Sequence, residues 1–133
     1  MRMRFLAIAL LSGCAALPSG QTGCAPLGMS AGEMRAMAET GFKLSETASP
    51  DALAMGMTAC LGAADPIIRD GFAFEGLSKL MRAGSLEADT VDAIRTDMLA
   101  RLAQPDDRAG FEKPFAALVL SEAVRVDRIS PYM

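Results

Sequence analysis

The stretch "ADPIIRDGFAFEGLSKLMRAG", residues 64–84, decides the fold. Asp65 and Pro66 at its start are typical of a helix N-terminus, because Asp caps free N–H groups and proline fits the first turn. Gly84 at its end is typical of the residue that follows a helix. Apolar residues recur between these marks at helical spacing, so the stretch predicts a helix over residues 66–82.

The same punctuation recurs along the chain and predicts four further helices. Ser30 and Glu33 form a capping-box pattern, and Ser49 followed by Pro50 is a second helix start. No strand pattern of comparable length is present. The sequence therefore predicts an all-α domain of about five helices, in which two helical hairpins spaced by roughly 40 residues resemble a small HEAT-like α-α superhelix. The four further helices are expected over residues 30–41, 50–61, 87–103 and 110–127.

The first 13 residues have the features of a bacterial lipoprotein signal peptide. Arg2 and Arg4 precede an apolar segment, residues 5–11, which is too short to cross a bilayer because a spanning helix needs about 20 residues. The motif "LSGC" at residues 11–14 resembles a lipobox, which implies cleavage before Cys14 and lipid attachment to it. The alternatives are an ordinary signal peptide cleaved nearby and a wrongly assigned start codon.

This N-terminus predicts where the protein is located and how the chain is divided. Ala15, rather than Asp, follows the lipobox cysteine, so we expect a lipid anchor in the bacterial outer membrane, facing the periplasm. A soluble periplasmic protein is the alternative. Residues 1–13 are the predicted lipoprotein signal peptide, residues 14–28 a tether rich in Gly, Pro, Ala and Ser, and residues 29–133 a single helical domain.

Charge and composition exclude several classes of function. The chain has 13 basic and 16 acidic residues, and two of the basic ones lie in the signal peptide, so the remainder carries 11 − 16 = −5. Without a basic cluster, binding to nucleic acid is not expected. Histidine is absent, which removes the usual general base and the commonest metal ligand. The methionines favour core filling over soft-metal binding, and we predict no metal and no cofactor.

Two cysteines, Cys24 and Cys60, remain beyond the lipobox. In an oxidising envelope such a pair predicts a disulfide, which would join the segment before the first helix to the end of the second. The alternative is that both are small, buried apolar residues.

Acidic side chains lie where the helical pattern predicts core. At about 100° per residue, Asp70 falls within an apolar stripe, Glu75 lies on its flank, and Arg69 points elsewhere. Glu122 falls in the middle of the corresponding stripe on the last helix, with Arg125 at its edge. The stripe around Asp70 consists of Ile67, Gly71, Phe74, Leu77 and Met81.

Buried carboxylates allow a structural and a functional interpretation. In the structural one, Asp70 and Glu122 are satisfied by ion pairs with Arg69, Arg82 or Arg125, or by a neighbouring helix N-terminus. Asp70→Ala is then predicted to lower thermal stability strongly. In the functional one, Asp70, Glu75 and Glu122 form an acid/base or ligand-binding group of a small hydrolase or ligand-binding enzyme. The structural interpretation is favoured, because no catalytic partner such as histidine is present.

A set of motifs from Cys24 onward resembles an uncharacterised bacterial family, domain of unknown function family 2785. The resemblance implies a compact helical-repeat-like domain and no established activity. The lipobox is a departure from the family and argues against a cytosolic role. The residues that carry the resemblance are Asp65-Pro66, Arg69-Asp70-Gly71, Phe74-Glu75, Leu77, Arg82-Ala83-Gly84, Phe111, Pro114-Phe115-Ala116-Ala117-Leu118-Val119-Leu120, Glu122 and Asp127.

The hypothesis that best accounts for these features is an envelope lipoprotein that serves as a small helical protein-interaction module. Helical stacks present grooves to partners, and the chain has no catalytic constellation. The sequence predicts a protein partner in the envelope and a membrane contact through the lipid on Cys14, but names neither the partner nor a substrate.

Overall fold

The computed structural model describes residues 23–129, which form five α-helices and no strand. The all-α prediction is confirmed. Cys14, the predicted signal peptide and most of the tether lie outside the described residues. None of the described helices is long and apolar enough to cross a membrane. The helices are α1 (Ala31–Glu39), α2 (Pro50–Thr58), α3 (Glu75–Arg82), α4 (Ala88–Leu102) and α5 (Glu112–Ile129), with a 3₁₀ turn at Pro26–Gly28 and a π-helical segment, Ile67–Phe74, that continues into α3.

The first two helices begin at the capping residues that the sequence predicts, Ser30 and Ser49. The hydroxyl of Ser30 accepts a hydrogen bond from the Glu33 N–H, and the Glu33 carboxylate accepts one from the Ser30 N–H at 2.8 Å. The hydroxyl of Ser49 accepts a bond from the Ala52 N–H at 3.2 Å. These bonds satisfy N–H groups that have no partner inside the helix.

Asp65 connects α1 to the π-helical segment. Its carboxylate accepts a bond from the Ile67 N–H at 2.9 Å and forms an ion pair with Arg35 of α1. The Arg35 guanidinium holds the pKa of Asp65 below its usual value. The same carboxylate therefore accepts a bond from the first N–H of the π-helical segment and pairs with α1, which holds α1 against that segment.

The core is built by pairs of helices. The α4 helix packs along α5, α2 packs on α3, and α1 packs on the π-helical segment. The predicted hairpin partners are therefore neighbours in space. Side chains that are fully buried between these layers are Leu53, Met57, Cys60, Leu61, Phe72, Leu77, Ile94, Met98 and Val119.

A disulfide holds the segment before α1 to the end of α2. Cys24 and Cys60 are bonded, with their Cα atoms 4.7 Å apart, which confirms the predicted pair. Two residues later, Pro26 packs so closely on Gly56 that a Cβ atom at Gly56 would lie 2.4 Å from the proline Cβ. A side chain at position 56 would separate these segments, so the glycine allows the close approach.

The π-helical segment changes which residues face the core. The N–H of Glu75 donates to the carbonyl of Asp70, five residues earlier, whereas an α-helical bond would span four. A helix widened in this way rotates by less than 100° per residue, so a helical wheel drawn for an α-helix assigns its faces wrongly. Buried positions recur every four residues, at 68, 72, 76 and 80 and at 69, 73, 77 and 81.

Candidate functional site

Arg69 is buried and Asp70 is half exposed, the reverse of what the helical pattern predicts. The Asp70 side chain is 49% exposed and that of Arg69 only 11%. Ile67, expected in the stripe, is also exposed. The prediction that Asp70 is turned into the core is therefore wrong, and so is the prediction that Arg69 points away from the buried stripe. The widened helical turn is the physical reason, because it moves Arg69 onto the buried face.

The guanidinium of Arg69 contacts a carboxylate, a backbone carbonyl and two aromatic rings. Its Nε donates to the Asp70 carboxylate at 2.7 Å, and its Nη1 donates to the Ala63 carbonyl at 3.3 Å. The guanidinium carbon lies 4.0 Å from the ring centroid of Phe111 and 5.3 Å from that of Phe115. Such a stack is a cation–π contact that replaces part of the lost hydration. Arg69 therefore joins the π-helical segment to the beginning of α5.

Glu122 is buried on α5, as the sequence predicts, and two arginines satisfy it. Its carboxylate accepts two bonds from Arg82 of α3, one of them from Nε at 2.8 Å, and Arg125 approaches within 3.7 Å. Arg82 lowers the pKa of Glu122, against an opposing effect of burial, and Glu122 raises the pKa of Arg82. A forked, charge-assisted pair of this kind fixes α3 against α5.

The three candidate carboxylates do not form a common site. Asp70 and Glu122 each bind arginine, and Glu75 is exposed. None of the three lines the cleft described below. Within residues 23–129, no group of three or more Cys, Asp or Glu side chains is arranged to hold a metal ion. The arrangement therefore does not favour the hydrolase or ligand-binding alternative.

Arg101 also has a structural role, which was not predicted from the sequence. Arg101 of α4 donates to the Thr58 carbonyl of α2 and to the Glu112 carboxylate of α5, both at 2.9 Å, and pairs with Asp97 on its own helix. Its contact with Thr58 spans 43 positions along the chain, so no local pattern indicates it.

An open cleft lies between the end of α3, the first turns of α4 and the last turns of α5. Its volume is about 290 Å³. The α3 helix ends here because Gly84 adopts φ +66° and its N–H and that of Ser85 close the last turn. The residues lining this α3–α5 cleft are Met81, Gly84, Leu86, Ala88, Val91, Asp92, Arg95, Ala123, Val126 and Asp127.

The α3–α5 cleft has an apolar floor and a charged rim. Leu86, Val91 and Val126 remain partly exposed inside it. At the rim Arg95 pairs with Asp92, whereas Asp127 makes no ion pair with any residue from 23 to 129. The rim therefore carries a net negative charge. The sequence does not indicate the cleft, because its residues come from three segments that meet only in the fold.

Comparison with known proteins finds no matching family model, no matching curated protein and no matching solved structure. The resemblance to domain of unknown function family 2785 therefore stays a prediction.

Proposed function

We propose that this protein is a small helical protein-interaction module, held by a lipid on Cys14 at the outer membrane and facing the periplasm. The observation that carries the interaction role is the α3–α5 cleft, which combines an apolar floor with an open, charged rim. At about 290 Å³ the cleft lies at the lower limit of ligand pockets, which begin near about 300 Å³. This size suits side chains inserted by a partner better than a large ligand.

The chemistry of the cleft specifies the kind of partner segment. Leu86, Val91 and Val126 favour an aliphatic or aromatic anchor, because burial in an apolar pocket is the usual source of binding energy at interfaces. The carboxylate of Asp127, which forms no ion pair within residues 23–129, favours a Lys or Arg beside that anchor. A segment with one apolar anchor and an adjacent basic residue therefore fits the cleft.

Site-specific crosslinking tests the interaction role. A photoreactive amino acid at Leu86, in cells with the native envelope, should yield a covalent adduct with another protein, identified by mass spectrometry. Ala88→Trp, which fills the cleft, should abolish the adduct. Ala100→Trp is the matched control, because Ala100 is exposed on α4 and does not line the cleft. Absence of any adduct, or equal loss in both variants, would contradict the proposed interaction.

Metabolic labelling tests the proposed anchor separately. The wild-type protein should incorporate radioactive palmitate, and Cys14→Ala should not, because the thiol is the acylation site. If the wild-type protein is never labelled, the lipid anchor on Cys14 is wrong.

A further inference from the structure

The solvent-facing side of α5 differs in charge from the rest of the protein. Over most of this 18-residue helix the exposed side chains are apolar, small or basic. Asp127 is the exposed acidic residue, and it lies at the edge that lines the α3–α5 cleft. The remaining exposed residues, which we name the outer face of α5, are Pro114, Ala117, Leu118, Ser121, Val124, Arg125, Arg128 and Ile129. The outer face thus has no carboxylate, on a protein whose net charge after the signal peptide is −5.

The ion pairs beneath the outer face leave it positively charged. Arg82 already bonds both oxygens of Glu122, the buried carboxylate of α5. Arg125 is therefore a second guanidinium for the same carboxylate, at 3.7 Å and with its side chain 52% exposed. Arg128 makes no ion pair with any other described residue. The cationic groups of Arg125 and Arg128 thus remain available to an external anion.

Exposed aliphatic side chains accompany these two arginines. Leu118, Val124 and Ile129 are each 44–45% exposed. Ser121, Val124, Arg125, Arg128 and Ile129 line one shallow basin at the end of the helix. Basic and aliphatic groups on one helical surface are the combination by which helices bind the headgroup region of a membrane.

We propose that the outer face of α5 docks on an anionic phospholipid surface, with Arg125 and Arg128 on lipid phosphates and Val124 and Ile129 against the adjoining acyl region. A protein partner is less well matched, because this face has no aromatic residue and its aliphatic groups alternate with polar ones, whereas interface cores are contiguous and rich in aromatics. The contact is separate from the α3–α5 cleft. It adds a second membrane contact beside the proposed lipid anchor on Cys14 and would hold this face of the domain against the bilayer.

Vesicle flotation of residues 14–133 carrying Cys14→Ala, produced without the basic and apolar signal peptide and without lipid, tests this docking. The protein should float with vesicles of equal parts phosphatidylcholine and phosphatidylglycerol, and much less with phosphatidylcholine alone. Arg125→Gln/Arg128→Gln should weaken the partitioning about 30-fold, the effect of two basic groups at an anionic surface. Added salt should weaken it as well.

The matched control is Lys43→Gln/Arg108→Gln, which removes the same charge from exposed positions that are not part of the outer face of α5. This control should float like the parent protein, and so should Ala88→Trp, whose substitution lies in the cleft. Equal binding to neutral vesicles, or an equal loss in the control, would overturn the proposal. If vesicles are not bound while a crosslinker at Val124 captures a protein, the face is a protein interface and membrane docking is refuted.

Discussion

Replacement of Arg69 by methionine is the most informative test of the fold. Compared with a substitution at Asp70, it shows which of the two side chains is the buried one. Methionine keeps an unbranched apolar stem and removes the guanidinium. The substitution therefore deletes the stack on Phe111 and the bond to the Ala63 carbonyl, together with the ion pair to Asp70.

The structure gives the size of the expected loss. A largely desolvated cation–π contact contributes about 1–2 kcal/mol. A buried carbonyl left without its donor costs about 1–2 kcal/mol, and a half-exposed ion pair contributes at most about 1 kcal/mol. We expect Arg69→Met to lower the free energy of unfolding by about 3 kcal/mol. Asp70→Ala should cost only about 1 kcal/mol, because the carboxylate is half exposed and Arg69 keeps its other contacts.

Urea unfolding of both variants, followed by circular dichroism with the disulfide intact, measures these differences. Arg108→Met is the control for loss of an exposed arginine. Its free energy of unfolding should lie within about 0.5 kcal/mol of the wild-type value. If Asp70→Ala costs as much as Arg69→Met, the small contribution expected of a half-exposed Asp70 is contradicted.

Three further predictions concern the packing and charges of the core. Arg82 lowers the pKa of Glu122 below its ordinary value of 4.5, so the ionised Glu122 carboxylate stabilises the fold above about pH 4.5. The stability advantage of the wild type over Glu122→Gln should therefore shrink as the pH falls below about 4.5 through the folded-state pKa, and an advantage independent of pH would contradict the pair. Gly76→Ala should cost about 2 kcal/mol, since its Cβ would lie 2.6 Å from Phe42 Cε1, whereas Gly71→Ala, whose nearest neighbour is 3.9 Å away, should cost nothing in thermal melts. Cys60→Ser should lower the free energy of unfolding by about 4 kcal/mol, because it removes a disulfide that links residues 36 positions apart. Equal denaturation of the variant and the wild type under non-reducing conditions would contradict this.

Most of the fold could be predicted from short-range chemistry. Ser30 with Glu33 and Ser49 with Pro50 specify helix starts through bonds made within four residues, so they act the same way in any surrounding. The disulfide followed from the number of cysteines. Glu122 was placed correctly because α5 is a regular α-helix, for which a step of 100° per residue holds.

The candidate site could be predicted only in part. The arginine partners of Asp70 and Glu122 were among those expected, but Asp70 was assigned to the wrong face, because a π-helical turn is not visible in the apolar pattern. The α3–α5 cleft was missed entirely.

The sequence by itself determined the helical class, the helix starts and the cysteine pair, because each depends on neighbouring residues or on residue type. The tertiary structure alone decided that Arg69 rather than Asp70 is buried, since packing of the widened helix against Phe111 sets that face. It also decided that the last turns of α5 present a cleft on one side and a basic face, with Arg125 and Arg128, on the other. The cleft arises because α3, α4 and α5 meet in space, and the packing of the opposite side of α5 into the core decides which of its residues form the outer face. No local pattern encodes either arrangement.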